Sequence, residues 1–304
     1  MNLEFHTRAR SRDRSALDFD ERVVNMKSVT TTAFSLAIGI ILIGSISTFR
    51  RPSLNPRAQS HGNEKGAKPL FVQIEYNPWA MVIGADTPTF ALYDNRTVVY
   101  WKKEGRAGKY LSATLTDSEM SQVLEKINPQ QFDSLEKRYE PARGITDQPE
   151  SLMVLRKEDG SYKAVYVYGS IRRKDDGTYP KGVPDLLGDV YQFVTTYDNA
   201  KASEWLPDRI EVMIWPYGYA PDKDLVWPKG WPDLSDPGTV KNGDLYSIYL
   251  RKALFEELKA FLAQRRERQA VRLSGKKWAV DVRLPFPDEQ IWQNLLSRMA
   301  SDSR

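Results

Sequence analysis

The chain has 304 residues, 41% hydrophobic and 11% aromatic, which is enough to bury a sizeable core and too apolar for wholesale disorder. Its net charge of +4 comes from the front: residues 1–68 hold 11 Lys and Arg against 6 Asp and Glu, leaving 33 against 34 for residues 69–304. A nearly neutral folded part offers no net field for phosphate backbones, so nucleic acid is not an expected partner. The absence of cysteine removes disulfides, thiolate metal ligands and thiol catalysis together.

Residues 1–28 read as a polar tail, with Arg8, Arg10, Arg12 and Arg14 separated by small or acidic residues. Residues 29–49 are 21 positions without a charge, with an apolar centre through Leu36, Ile38, Ile40, Ile41, Leu42 and Ile43. As a helix they would span about 31 Å, enough to cross a hydrocarbon core, and they are apolar on every face, unlike a helix with one side in water. Two readings stay open. One is an uncleaved anchor in a single-pass cell-membrane protein, with the tail inside and the C-terminal region extracytoplasmic. The other is a signal segment starting at Met26 and cleaved near Ser45-Ile46-Ser47, which would release a secreted protein. Residues 50–68 carry Pro, Gly, Ser, Asn and charge without apolar periodicity and read as a disordered linker.

From residue 69 the pattern predicts an α+β fold of antiparallel hairpins with packed helices. Residues 70–76 and 89–93 read as strands, and 97–101 returns across the turn-forming Asp94-Asn95-Arg96. Thr116 and Glu119 have capping-box spacing, and Met120, Val123, Leu124 and Ile127 make the apolar stripe of the helix that follows. A short helix is expected over 130–139 after Pro129. Residues 152–157 and 162–168 flank Glu158-Asp159-Gly160-Ser161 as a hairpin, and 183–200 reads as a helix. A second pass follows: strand 210–214, an irregular stretch to 243, strand 245–250, helix 252–264, and a hairpin of 270–273 with 277–283. Leu115, Met120, Val123 and Ile127 align with Leu250, Phe255, Leu258 and Leu262 at one constant offset, which suggests two similar α+β units, 69–200 and 201–304.

Residues 89–169 resemble an uncharacterised bacterial domain family, known only as a domain of unknown function. The resemblance lies in Phe90, Tyr93 and the Val98-Val99-Tyr100 strand, then Leu115, Thr116 and Glu119, then Phe132, Leu135 and Tyr139. It continues through Thr146, Asp147 and Pro149 into Lys163, Val165, Tyr168 and Gly169. It implies an exported α+β module and carries no activity or catalytic residue.

His6 and His61 are the two histidines, so no triad, Cys-His pair or imidazole base can be assembled after residue 61. Ser134/Lys137 and Ser274/Lys277 have the spacing of a Ser-Lys dyad, but no accompanying element supports either. Asp147, Glu150, Asp222, Asp224, Asp233, Asp236 and Asp244 sit in predicted loops, where convergence of two carboxylates would suit glycan hydrolysis. No calcium or phosphate loop motif is present, so no metal and no cofactor are expected. Trp215, Trp227, Trp231, Tyr217 and Tyr219 lie in a proline-stiffened stretch and, with Asp147, are the candidate ligand-binding residues, suited to stacking on a sugar or gripping a peptide. The structural alternative is that the tryptophans anchor an irregular segment in the core. The expected function is a non-enzymatic binding or interaction module at the cell envelope, attached to the membrane by 29–49, with an unknown protein or polysaccharide partner. The runner-up is a carboxylate-dependent, glycan-directed envelope hydrolase.

Overall fold

The structure is a computed structural model that describes residues 66–76, 87–105 and 107–302. The tail, the apolar segment 29–49 and the linker up to residue 65 lie outside the described residues, and with them the anchor or signal expected there. Among the described residues, no helix is long and apolar enough to cross a membrane.

Two sheets with helices packed on them make an α+β fold. The first sheet is built around β1 (Pro69–Tyr76). On one side come β2 (Phe90–Tyr93), β3 (Thr97–Glu104) and β4 (Ala107–Thr114), a run of antiparallel neighbours. The expected turn closes β2 onto β3, with Arg96 at φ 67° and the Thr97 amide donating to the Asn95 side chain at 3.0 Å. The β3–β4 hairpin was not anticipated, because Lys102, Lys103, Glu104 and Lys109 break apolar alternation at its exposed end. Trp101 lies across Gly108, where a Cβ would fall 2.3 Å from the indole, so the chain can fold back there only over glycine.

α1 (Asp117–Ile127) follows, with its capping box formed. The Glu119 amide donates to the Thr116 hydroxyl at 3.2 Å, and the Thr116 amide donates to the Glu119 carboxylate at 2.7 Å. That amide, then Lys201 and the Thr116 hydroxyl, hold the Glu119 carboxyl down to about 2 from an ordinary 4.5. Since the folded value is the lower one, the stabilisation is complete above pH 4.5 and fades as pH falls toward 2. Glu119→Gln should therefore flatten the acid side of the stability profile while leaving its slope near neutrality unchanged, as read from urea midpoints against pH.

Asn128, at φ 52°, ends α1 and caps α2 (Pro129–Asp133), and β5 (Arg138–Tyr139) begins soon after, so the expected helix over 130–139 is a single turn followed by a strand. Next come β6 (Glu150–Arg156) and β7 (Tyr162–Tyr168), the expected hairpin, and then α3 (Asp185–Thr195). The Tyr179 ring lies against Gly188 of α3, where an added Cβ would sit 2.3 Å away, and the Tyr179 hydroxyl donates to Asp189 at 2.6 Å. Gly188→Ala should cost about 1–3 kcal/mol by forcing that ring off the helix, measurable as a lower midpoint of thermal unfolding. β8 (Ser203–Glu204) joins the outer side of β4, giving the order β5-β7-β6-β1-β2-β3-β4-β8.

The second sheet is built around β9 (Arg209–Pro216). One flank is β12 (Leu245–Arg251) and β11 (Val240–Asn242), and the other is β14 (Lys276–Arg283), β13 (Val271–Leu273) and β10 (Leu225–Val226). Between β12 and β13 runs α4 (Phe255–Ala263), entered through a 3-10 turn at Lys252–Leu254, and α5 (Gln290–Asp302) follows β14. The two sheets are wired differently. They differ in strand number and order, eight strands against six, although β4, which leads into α1, and β12, which leads into α4, each lie one place in from an edge.

The first sheet is buried on both faces, which follows from the pleat sending alternate side chains opposite ways. Phe71, Phe90, Leu92, Val98, Met153, Leu155, Val165 and Val167 pack under α1, α2 and α3, meeting Val123, Ile127, Phe132, Leu187, Val190 and Val194. The opposite face, with Val72, Ile74, Ala91, Tyr93, Val99, Leu152 and Val154, belongs to one apolar cluster with Ile210, Val212, Ile214, Ile248, Leu250, Leu258, Phe286 and Trp292. Residues 284–292 bridge the two sheets. Tyr93 donates to the Pro287 carbonyl at 3.2 Å, Lys68 pairs with Asp288 at 2.8 Å, and Tyr110 meets Phe286 ring to ring at 5.3 Å.

Candidate functional site

The aromatic stretch divides into a buried part and a surface part. Trp227 is buried: its indole donates to the Pro232 carbonyl at 3.0 Å, and its ring meets Trp231 at 5.2 Å and Phe261 of α4 at 5.8 Å, both edge to face. Trp231 also meets Phe261, at 5.7 Å. These two tryptophans fasten the irregular segment beneath α4, because a loop without a helical stripe must find other apolar surface to bury. Their faces are spent on each other and on Phe261. Trp205, likewise, lies 4.6 Å from Phe286.

Trp215, Tyr217 and Tyr219 stand elsewhere, at the end of β9. Trp215 is half-buried opposite Ala279. The Tyr217 amide donates to the Lys277 carbonyl at 3.0 Å, which extends the pairing with β14 just past the strand. Tyr217 then braces Tyr219 edge to face at 4.9 Å, and Tyr219 is left 85% exposed. Asp147 is exposed at φ 68° in the loop that enters β6, in the first sheet rather than the second. The aromatic candidates at the surface are therefore Tyr217 and Tyr219, with Trp215 beside them in sequence.

Three of the seven loop carboxylates are occupied by local structure. Asp233 accepts from the Ser235 hydroxyl and amide at 2.6 and 2.7 Å, which holds its carboxyl below the usual range. Asp236 accepts from the Gly238 amide at 2.7 Å, closing the next turn. Asp224 has a side chain only 7% exposed. Burial pushes its carboxyl up, but Lys277 and Arg272 outweigh that and leave it lowered. Among the described residues, no three acidic or imidazole side chains stand together as a group that would hold a metal ion.

The densest charge cluster is one that sequence reading missed. Arg283 reaches Glu211 at 3.1 Å and grips Glu289 with two nitrogens at 2.8 and 2.7 Å, and the Phe286 amide also donates to Glu289 at 2.9 Å. All three side chains are 6% exposed or less. Arg283 and Glu211 are cross-strand partners on β14 and β9, and Glu289 precedes α5, so the cluster ties the second sheet to the bridging segment 284–292. Burial first, then the charges of Glu289 and Asp288, push the neighbouring Tyr93 hydroxyl well above its ordinary value, so Tyr93 remains a donor. The available signal was a lone Glu inside Ile210-Glu211-Val212-Met213-Ile214 and an Arg ending Val280-Asp281-Val282-Arg283. Alternation puts both off the apolar face, where they read as solvated.

No protein-family model matches the chain, and no curated protein or solved structure matches it either. The resemblance of residues 89–169 to a domain-of-unknown-function family is therefore not supported. The residues that carried it do work common to many folds. Phe90, Val98 and Val165 fill a core, Thr116 and Glu119 cap a helix, and Tyr168 donates to the Ile145 carbonyl at 2.8 Å to close a loop. Such roles recur wherever hairpins pack under helices, and they do not mark descent.

Proposed function

We propose that residues 69–304 form a non-enzymatic binding module, held at the cell envelope by residues 29–49 with the C-terminal region extracytoplasmic. The observation that carries this reading is the contrast between engaged acids and exposed aromatics. Asp224, Asp233 and Asp236 are committed to cations or turns, whereas Tyr219 projects from a braced pair into solvent. Binding by a rigid ring on a fixed loop needs little ordering, which is the physical advantage of such a site. Beyond the loop acids, the glycan-hydrolase alternative could draw on Glu211 and Glu289, which converge on Arg283, but Arg283 and the core enclose them. The full chain, reconstituted in lipid nanodiscs, should show no turnover of glycan or peptide substrates. Robust turnover abolished by Glu211→Gln or Glu289→Gln in a folded variant would establish the hydrolase instead.

A further inference from the structure

Two segments at one end of the second sheet are laced into a single surface. Gln269 donates to the Lys223 carbonyl at 2.6 Å, the Leu225 amide to Ala270 at 2.9 Å, and the Trp227 amide to Arg272 at 3.0 Å. Lys277 closes the set by donating through its ammonium to the Ala220 carbonyl at 2.9 Å. Residues 217–229 and 264–277 together carry eight Lys and Arg against three Asp and Glu, a balance of +5, within a region 69–304 whose total is −1. Of the three acids, Asp224 is already neutralised by Arg272 and Lys277, which leaves Asp222 and Glu267. Lys223, Lys229, Arg266, Arg268 and Lys276 are exposed and make no ion pair among the described residues. Tyr219 and Val226 belong to the same segments and are 85% and 64% exposed, Val226 paired with Arg272 across β10 and β13 and Tyr219 next to Ala220, which Lys277 holds.

We propose that this surface docks on anionic phospholipid headgroups, an inference that rests on the membrane-tethered reading above. The cations would meet lipid phosphates while Tyr219 and Val226 enter the headgroup layer, where an amphipathic ring is at home. A nucleic acid would use the same cations but has no place for an exposed valine, and a single braced tyrosine makes a poor base-stacking platform. Geometry allows the anchor and the surface to engage together. β14 runs from Lys276 in the patch to Arg283 about 24 Å away, and just beyond it Asp288 holds Lys68, where the linker enters the fold. The 19 residues from 50 to 68 reach about 65 Å when extended, so the linker can pass alongside the second sheet with its far end in the bilayer.

The absence of cysteine makes the test clean, since Gly218→Cys, at a position with nothing within 4 Å of an added Cβ, gives one labelling site beside Tyr219. The full-length labelled chain is placed in nanodiscs of phosphatidylcholine alone or with one third phosphatidylglycerol, and acrylamide quenching of a polarity-sensitive dye is measured. Shielding is expected only in the anionic discs, reversed by high salt, with each cation replaced by glutamine weakening docking about fivefold at low ionic strength. Equal quenching in both discs overturns the proposal, and so does shielding by a DNA duplex or an acidic polysaccharide but not by anionic lipid. Should the multiple-glutamine variant fail to fold by circular dichroism, the salt titration of the unaltered patch decides the matter. Co-fractionation with neutral discs reports the anchor separately. A chain that does not enter them refutes the tether, and sedimentation with anionic vesicles then decides the patch: pelleting upholds it and failure to pellet overturns it.

Discussion

Replacing Arg283 with methionine should destabilise the protein by about 3–5 kcal/mol, the largest effect expected of any single charge change. The reason is asymmetric. Arg283 is the cation gripped by both Glu211 and Glu289, and all three side chains are nearly inaccessible to water. Removing it leaves two carboxylates facing each other in a medium that solvates neither. Adding Glu211→Gln and Glu289→Gln to Arg283→Met removes the stranded charges and should recover part of the loss, as measured by urea unfolding of all members of the cycle. If Arg283→Met instead unfolds at the same urea concentration as the parent, the cluster is not the fastening between sheet and bridge described above. The replacement of charge by shape has a second readout, because Tyr93 donates to Pro287 beside Glu289, so local opening should appear as faster amide exchange over 284–292.

Trp227→Ala and Tyr219→Ala should separate the two halves of the aromatic stretch. Trp227→Ala empties a site enclosed by Trp231, Phe261 and Pro232 and should cost about 3–5 kcal/mol, a fall of several degrees or more in the thermal midpoint. Tyr219→Ala should stay within about 0.5 kcal/mol of the parent, because its ring is exposed and its partner Tyr217 is held by the backbone of β14 rather than by Tyr219. Any loss of ligand or lipid binding in Tyr219→Ala can then be read as a loss of contact. A Trp227→Ala protein that kept its melting temperature but lost a ligand would invert this assignment.

The elements that could be read from sequence were those with local causes. Thr116 and Glu119 specify a helix start between themselves, and Asp159-Gly160 sits between two alternating runs, so both appear where periodicity places them. Elements whose cause is distant were missed. β10 and β11 are two and three residues long and exist because β13 and β12 offer open edges. α5 was missed although Ile291, Trp292, Leu295 and Leu296 recur at helical spacing, and Trp292 is buried by partners far away in the chain. The same distinction explains the site. Composition shows that the tryptophans cluster, but whether a ring is spent on Phe261 or left in water depends on where α4 lies. The buried triad was invisible for a related reason, since Glu211 and Arg283 become neighbours only through the strand register of β9 and β14.

The position of β14 has a consequence for how the molecule is made. It lies between β13 and β9 rather than at a margin, so the six-stranded sheet cannot close until residues 276–283 have been inserted into its interior. A chain stopped before Lys276 would leave Val212 and Ile214 facing an empty slot, a sticky groove open to wrong partners. Premature termination in that stretch should therefore yield not a shorter working protein but a substrate for proteases, with only the earlier eight-stranded layer able to approach its final form.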